Sequence, residues 1–208
     1  MELREALDQI SQIRVQMAQT TVFRGYRSLT VGFSGVLGVS AAVGQAIWLP
    51  RPLDHLDSYA LLWLGVAALA IAIVGAEIGY RAWVNPSALA RQHSLLAIEH
   101  FIPCLVAGGL LTIIIVQRAP AAAWMLPGLW AIVFSLGVFA SQRLLPRSVA
   151  FVGLFYLVGG AAALAFGNGP AALSPWWMGL LFGGGQFFAA AILYFTLERN
   201  SHGRATED

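Results

Sequence analysis

Six apolar runs recur along the chain, at about Leu29–Leu49, Tyr59–Tyr80, Phe101–Val116, Ala121–Ser141, Val149–Phe166 and Trp176–Leu197. Each is as long as a bilayer-crossing helix requires, or nearly so. The runs are continuous and rich in Ala, Leu and Gly, without the period-two alternation of barrel strands. The pattern predicts an all-α integral membrane protein, a bundle of six transmembrane helices over 28–198.

The segment before it, "MELREALDQISQIRVQMAQ", has a different pattern. Leu3, Leu7, Ile10, Ile13 and Met17 share one helical face, with charge opposite. It predicts a cytoplasmic amphipathic helix and interfacial anchor over 1–27. Such a helix lies on the membrane surface, packs on the bundle, or pairs through residues 1–20 with a second copy or a protein partner. Residues 199–208 form a short tail.

The arginines set a direction. Arg4, Arg14, Arg24, Arg27, Arg81, Arg91, Arg143, Arg147, Arg199 and Arg204 fall on one side of the runs, and only Arg51 and Arg118 on the other. This asymmetry predicts a multi-pass protein of the inner (plasma) membrane with both termini in the cytoplasm. Trp48, Trp124, Trp176 and Trp177 fall at the opposite ends, and Trp83 at the arginine-rich boundary, as interfacial indoles do. The triplet Gly-Tyr-Arg at 25–27 and again at 79–81 reads as a pair of interfacial anchors.

Composition narrows the class further. Only 11% of residues are charged and 58% are hydrophobic, with a mean hydropathy of +0.72. Soluble domains carry about 25% charged residues, so this chain has too little polar surface to coat a water-facing globule. The net charge of +2 does not point to nucleic acid, because the arginines form no dense run among exposed aromatics. Cys104 is alone, which excludes an intrachain disulfide and CxxC chemistry. The first residues mix acids and arginines and do not resemble a signal peptide.

Inside the spans the chief polar side chains are Gln45 and Gln186. The fifth run offers nothing polar beyond Tyr156, which disfavours an open aqueous channel. Gln186 follows a small-residue surface of Gly179, Gly183, Gly184 and Gly185. Spacing of this kind lets helix backbones approach closely; the functional alternative is a backbone-lined pocket read by Gln186. Pairing Gln186 with Gln45 would need a difference in depth to be closed by tilt. In the loop "LDHLDS", Asp54, His55 and Asp57 could ligate a metal, but Asp57 or Ser58 as the N-cap of the second span is the simpler reading. His93 and His100 share a helical face, so bis-histidine haem ligation fails and no cofactor is implied. A likeness between the third and fourth runs, each ending in Gln-Arg, joins antiparallel spans and marks no duplication.

One stretch concentrates ionisable groups at a span edge. Asn85-Pro86 reads as a helix start, and the helix should run unbroken into the third span. From Phe101 to Val116 the apolar length is only ~24 Å, against a hydrocarbon core of ~30 Å. Either the bilayer thins locally or Glu99 and His100 are drawn inward. Pro103 lacks an N–H, which leaves the carbonyl of Glu99 without its helical donor. Glu77 falls at the same depth with Arg81 one turn on, and Arg24, Arg27, Arg143 and Arg147 reach the same layer. Together these residues could hold a proton or a cation. The plainer reading makes Glu99 a snorkelling boundary and Pro103 a packing kink.

Two functions follow from these residues. One is a small proton- or cation-linked transporter with its ionisable cluster at the cytoplasmic mouth. The other is a non-transporting membrane sensor or assembly factor acting through protein partners. An enzyme has less support, since no nucleophile–base pair or metal set is visible.

Overall fold

The computed structural model describes residues 28–84, 88–142, 147–167 and 169–198. These residues are helical apart from short connections, with no strand among them. Six helices are long and apolar enough to cross a membrane: Ser28–Trp48, Pro52–Tyr80, Glu99–Arg118, Pro120–Ala140, Arg147–Phe166 and Pro175–Thr196. The N-terminal amphipathic segment, Arg24, Arg27 and Arg143, the C-terminal tail, and the Asn85-Pro86 helix start lie outside the described residues, as does the side chain of Arg81.

Element by element, α1 is Ser28–Trp48, α2 Leu56–Val84, α3 Ala88–Arg118, α4 Leu126–Ala140 and α5 Ala150–Phe166. The sixth, α6, is segmented: an α-helical turn Pro175–Met178, a π-helical stretch Gly179–Gly184, the α-helix Gly185–Leu193 and a second π-helical stretch Tyr194–Glu198. Neighbours in the bundle are α1 with α6 and α2, α4 with α3 and α5, α2 with α3, and α5 with α6.

The second helix starts earlier than its apolar run suggests. A 3₁₀ turn over Pro52–His55, entered through proline, leads directly into Leu56. Asp57 therefore lies within the first helical turn, where its charge meets the helix dipole, and is not the N-cap. Similar 3₁₀ turns over Pro120–Met125 and Gly169–Leu173 lead into α4 and α6. The Gly169–Leu173 turn packs on the other two at the end opposite the arginine-rich one. Gly169 has φ +56°, a left-handed conformation that L side chains rarely adopt.

The faces of the helices are sorted by size rather than by polarity. In α1 the buried positions are Val31, Ser34, Gly35, Gly38, Ala41, Ala42, Gly44 and Gln45, a 3.6-period stripe of mostly small residues. Phe33, Val36, Val39, Val43 and Ile47 point outward. Helix α5 repeats the arrangement in part, with Gly153, Gly160 and Ala163 inside beside Val152 and Tyr156, and Phe151, Leu154, Val158 and Phe166 outside. Water would favour the reverse, whereas apolar surroundings remove the drive to hide large side chains and leave close backbone packing to hold helices together.

Two pairs of helices show that packing in detail. A Cβ on Gly38 would stand 3.0 Å from the Gly183 nitrogen, and one on Gly183 would stand 2.7 Å from Cγ2 of Val39. These contacts draw α1 against the π-helical stretch of α6. A Cβ on Gly128 would lie 2.7 Å from the Gly160 oxygen, and the reciprocal contact is 2.8 Å, which seals α4 to α5.

Candidate functional site

Polar side chains gather at three depths. Nearest the arginine-rich end, Glu77 of α2 is half-buried and accepts a hydrogen bond from the Thr30 hydroxyl of α1. One turn along α1, buried Ser34 donates to the Thr30 carbonyl at 3.2 Å. This back-bond satisfies the serine internally, as the i−4 geometry of a helix allows. A carboxylate at the seam of two apolar helices is expensive there unless it is paired, and the Thr30 hydroxyl is one of its partners.

Glu99 and His100 are placed differently. Both are exposed on α3, as are Ile102 and Pro103. Their neighbour Phe101 turns inward, meeting the Phe134 ring edge-on at 5.1 Å and closing over Gly137. Helix α3 continues through Pro103 without a break. The acidic layer thus divides between two surfaces: Glu77 faces α1, whereas Glu99 and His100 lie on the outside of the bundle. Arg147, at the entry to α5, is exposed as well.

At mid-bundle, Gln186 donates from Nε2 to the Tyr156 hydroxyl at 3.2 Å, joining α6 to α5. Tyr156 is fully buried within an aromatic cluster. Its ring lies 4.6 Å from Phe134 and 5.6 Å from both Phe155 and Phe182, centroid to centroid. Gly185 makes room for it, since a Cβ there would stand 2.6 Å from the hydroxyl. Gly179 faces Ala42, while a Cβ on Gly184 would meet only Leu180 at 3.7 Å. The π-helical stretch Gly179–Gly184 ends one residue before Gly185 and Gln186, and such bulges frequently accompany functional positions.

The third group lies towards the opposite end. Gln45 is 1% exposed and saturates both ends of its carboxamide. Its Nε2 donates to the Leu173 carbonyl at 2.7 Å, and its Oε1 accepts from the Trp63 indole at 2.8 Å. Across the bundle the Trp130 indole donates to the Thr112 hydroxyl at 2.8 Å, which in turn donates to the Gly108 carbonyl at 2.7 Å. Tyr59 stacks on Trp130 with ring centroids 6.1 Å apart and planes within 6°. Its hydroxyl is buried and has no hydrogen-bond partner among the described residues. Above Gln45 an open recess of about 420 Å³ is lined by Ala46, Leu49, Pro50, Leu173, Ser174 and neighbouring residues.

Gln45 and Gln186 therefore have separate partners and no need of each other. Thr30, Trp63, Thr112 and Trp130 did not stand out in the sequence. For the tryptophans a usable signal existed, because an indole N–H inside an apolar span requires an acceptor on another helix. Thr30 carried no such signal. Asp54 and His55 in the 3₁₀ turn and Asp57 at the start of α2 are all exposed. No protein-family model, curated protein or solved structure matches the chain.

Proposed function

We propose that the chain is a small proton- or cation-linked transporter of the inner membrane, with both termini in the cytoplasm and Glu77 as its ion-coupling group. The observation that carries this reading is the carboxylate of Glu77 in the seam between α1 and α2, hydrogen-bonded to Thr30. A carboxylate inside an apolar span serves an ion pathway more often than it serves stability. The π-helical stretch Gly179–Gly184 next to Gln186 supports the same reading, since such bulges frequently accompany functional positions. The arginine asymmetry supports the topology and, with it, a position for Glu77 near the cytoplasmic mouth.

The test is ion flux in proteoliposomes carrying an imposed pH or cation gradient. Glu77→Gln keeps shape and removes the charge, and it should abolish flux while the protein still folds. Glu99→Gln should leave most of the flux, because Glu99 lies on the exposed surface of α3. Flux that is indifferent to Glu77→Gln would sink the assignment.

The rival reading, a non-transporting sensor or assembly factor, draws on one observation. The most apolar windows of the spans Pro52–Tyr80 and Glu99–Arg118 bury 6% and 11% of their residues in the bundle, against 28–44% for the other four. Those two helices offer the most surface to a partner within the membrane. Absence of any gradient-driven flux would leave this reading in place.

A further inference from the structure

We propose that α2 is a hinged arm, pivoting on Tyr59 and Trp63 and latched at its other end by the Thr30–Glu77 bond, whose release opens Glu77 to the arginine-rich side. The inference deepens the transport reading and rests on it for its functional meaning. Its structural content comes from how unevenly α2 is held. Tyr59, Ala60 and Trp63 are buried at 0%, 7% and 4% exposure. The stack on Trp130 and the bond to Gln45 fix that third of the helix against α1 and α4. From Leu64 to Tyr80 no residue is buried. Gly65, Gly75 and Gly79 meet nothing within 4 Å, whereas the glycines of α1, α4, α5 and α6 all stand against neighbouring atoms.

Helix α3 is no such arm, because Phe101 ties it to α4 at one end and Thr112 at the other. Among the described residues, an interhelical side-chain bond on the unburied stretch of α2 joins Glu77 to Thr30. Glu77 is held by more than Thr30 alone, so losing the hydroxyl weakens the latch without removing it. From Trp63 to Glu77 the arm is ~21 Å long. A tilt of ~10°, well inside the range membrane helices adopt, moves Glu77 by ~4 Å. That is enough to separate a hydroxyl from a carboxylate.

Distances between spin labels test the arm directly, on a Cys104→Ser background in lipid nanodiscs. One label pair replaces Leu29 and Tyr80, which are 79% and 65% exposed near the latch. The other replaces Ile47 and Leu61, 65% and 75% exposed near the pivot. The latch pair should give the broader distance distribution before any further change, a measurement that stands even if a variant fails to fold. Thr30→Val, which weakens the latch, should then broaden the latch-pair distribution towards distances up to ~4 Å longer and leave the pivot pair unchanged. Thr30→Ser, which keeps the hydroxyl, should match the parent. Equal widths for the two pairs, or a latch-pair distribution in Thr30→Val no broader than the parent's, would overturn the arm. Flux lost in Glu77→Gln with those same flat distances removes the arm alone. A latch that opens without any Glu77-dependent flux removes the transport reading and leaves the arm standing.

Discussion

Replacing Gln45 with leucine would strand the Trp63 indole N–H and the Leu173 carbonyl together, since one carboxamide serves both. Hydrogen bonds between membrane helices average ~0.6 kcal/mol, but an unsatisfied buried partner costs ~1–3 kcal/mol. Gln45→Leu should therefore destabilise by ~2 kcal/mol. Gln186→Leu removes one longer bond to Tyr156, whose hydroxyl sits beside a helix backbone; it should cost only ~0.6 kcal/mol. Unfolding in mixed micelles, monitored by tryptophan fluorescence, reads both. A larger loss for Gln186→Leu would mean that the mid-bundle pair, not the Gln45 junction, holds the helices in register. Both glutamines were visible as polar residues in apolar runs. Their partners were not, because Trp63 and Tyr156 are 18 and 30 residues away in the chain, and helical periodicity says nothing about which helix lies opposite.

At the scale of helices, glycine contacts carry the pairing. Gly183→Leu would push a branched side chain into Val39 and the α1 backbone at a place where even a Cβ stands 3.2 Å from the Val39 nitrogen. Overpacking of well-packed sites costs ~1–3 kcal/mol, and backbone gives less readily than side chains, so a marked loss of folded yield is expected. Gly153 is no neutral reference, since it is buried and a Cβ there meets the Phe139 ring at 2.8 Å. Gly65 is the proper one, with nothing within 4 Å. Gly65→Leu should leave the yield of monodisperse protein nearly unchanged in size-exclusion chromatography. Equal losses at the two positions would contradict the α1–α6 seam. Helix existence and extent were legible in the apolar runs to within a few residues at most ends. The start of α2 was not, because Pro52 and the charged Asp54-His55 mask a 3₁₀ turn that the helix absorbs. Nor was the π-helical stretch of α6 legible, since its composition, Gly-Leu-Leu-Phe-Gly-Gly, is equally suited to an ordinary α-helix.

Among the described residues, large apolar side chains cover the outside of α1, α2, α3, α5 and α6. Trp48 and Trp176 are 80% and 68% exposed at the end opposite the arginines, and Trp83 is 81% exposed at the arginine-rich end. Indoles at both boundaries fit a slab whose interfaces they line. Helix α1, with 21 residues, is ~31 Å long and matches a hydrocarbon core of ~30 Å. Helix α2, with 29 residues, is ~43 Å long, so it must tilt or project beyond that core. Seven of its residues, 78–84, follow Glu77, towards the end to which the sequence assigns ten of the twelve arginines. Cysteine labelling of sealed cells, again on a Cys104→Ser background, checks the resulting orientation. A membrane-impermeant maleimide added outside should reach cysteines placed at Asp54 and Ala171, both exposed at the arginine-poor end. It should reach cysteines at Ala88 and Gly203 only after the membrane is opened. Labelling of Ala88 or Gly203 in sealed cells would invert the molecule and put Glu77 at the outer mouth. The carboxylate would then face the opposite compartment, and the direction of any coupled ion movement through it would have to be reassigned.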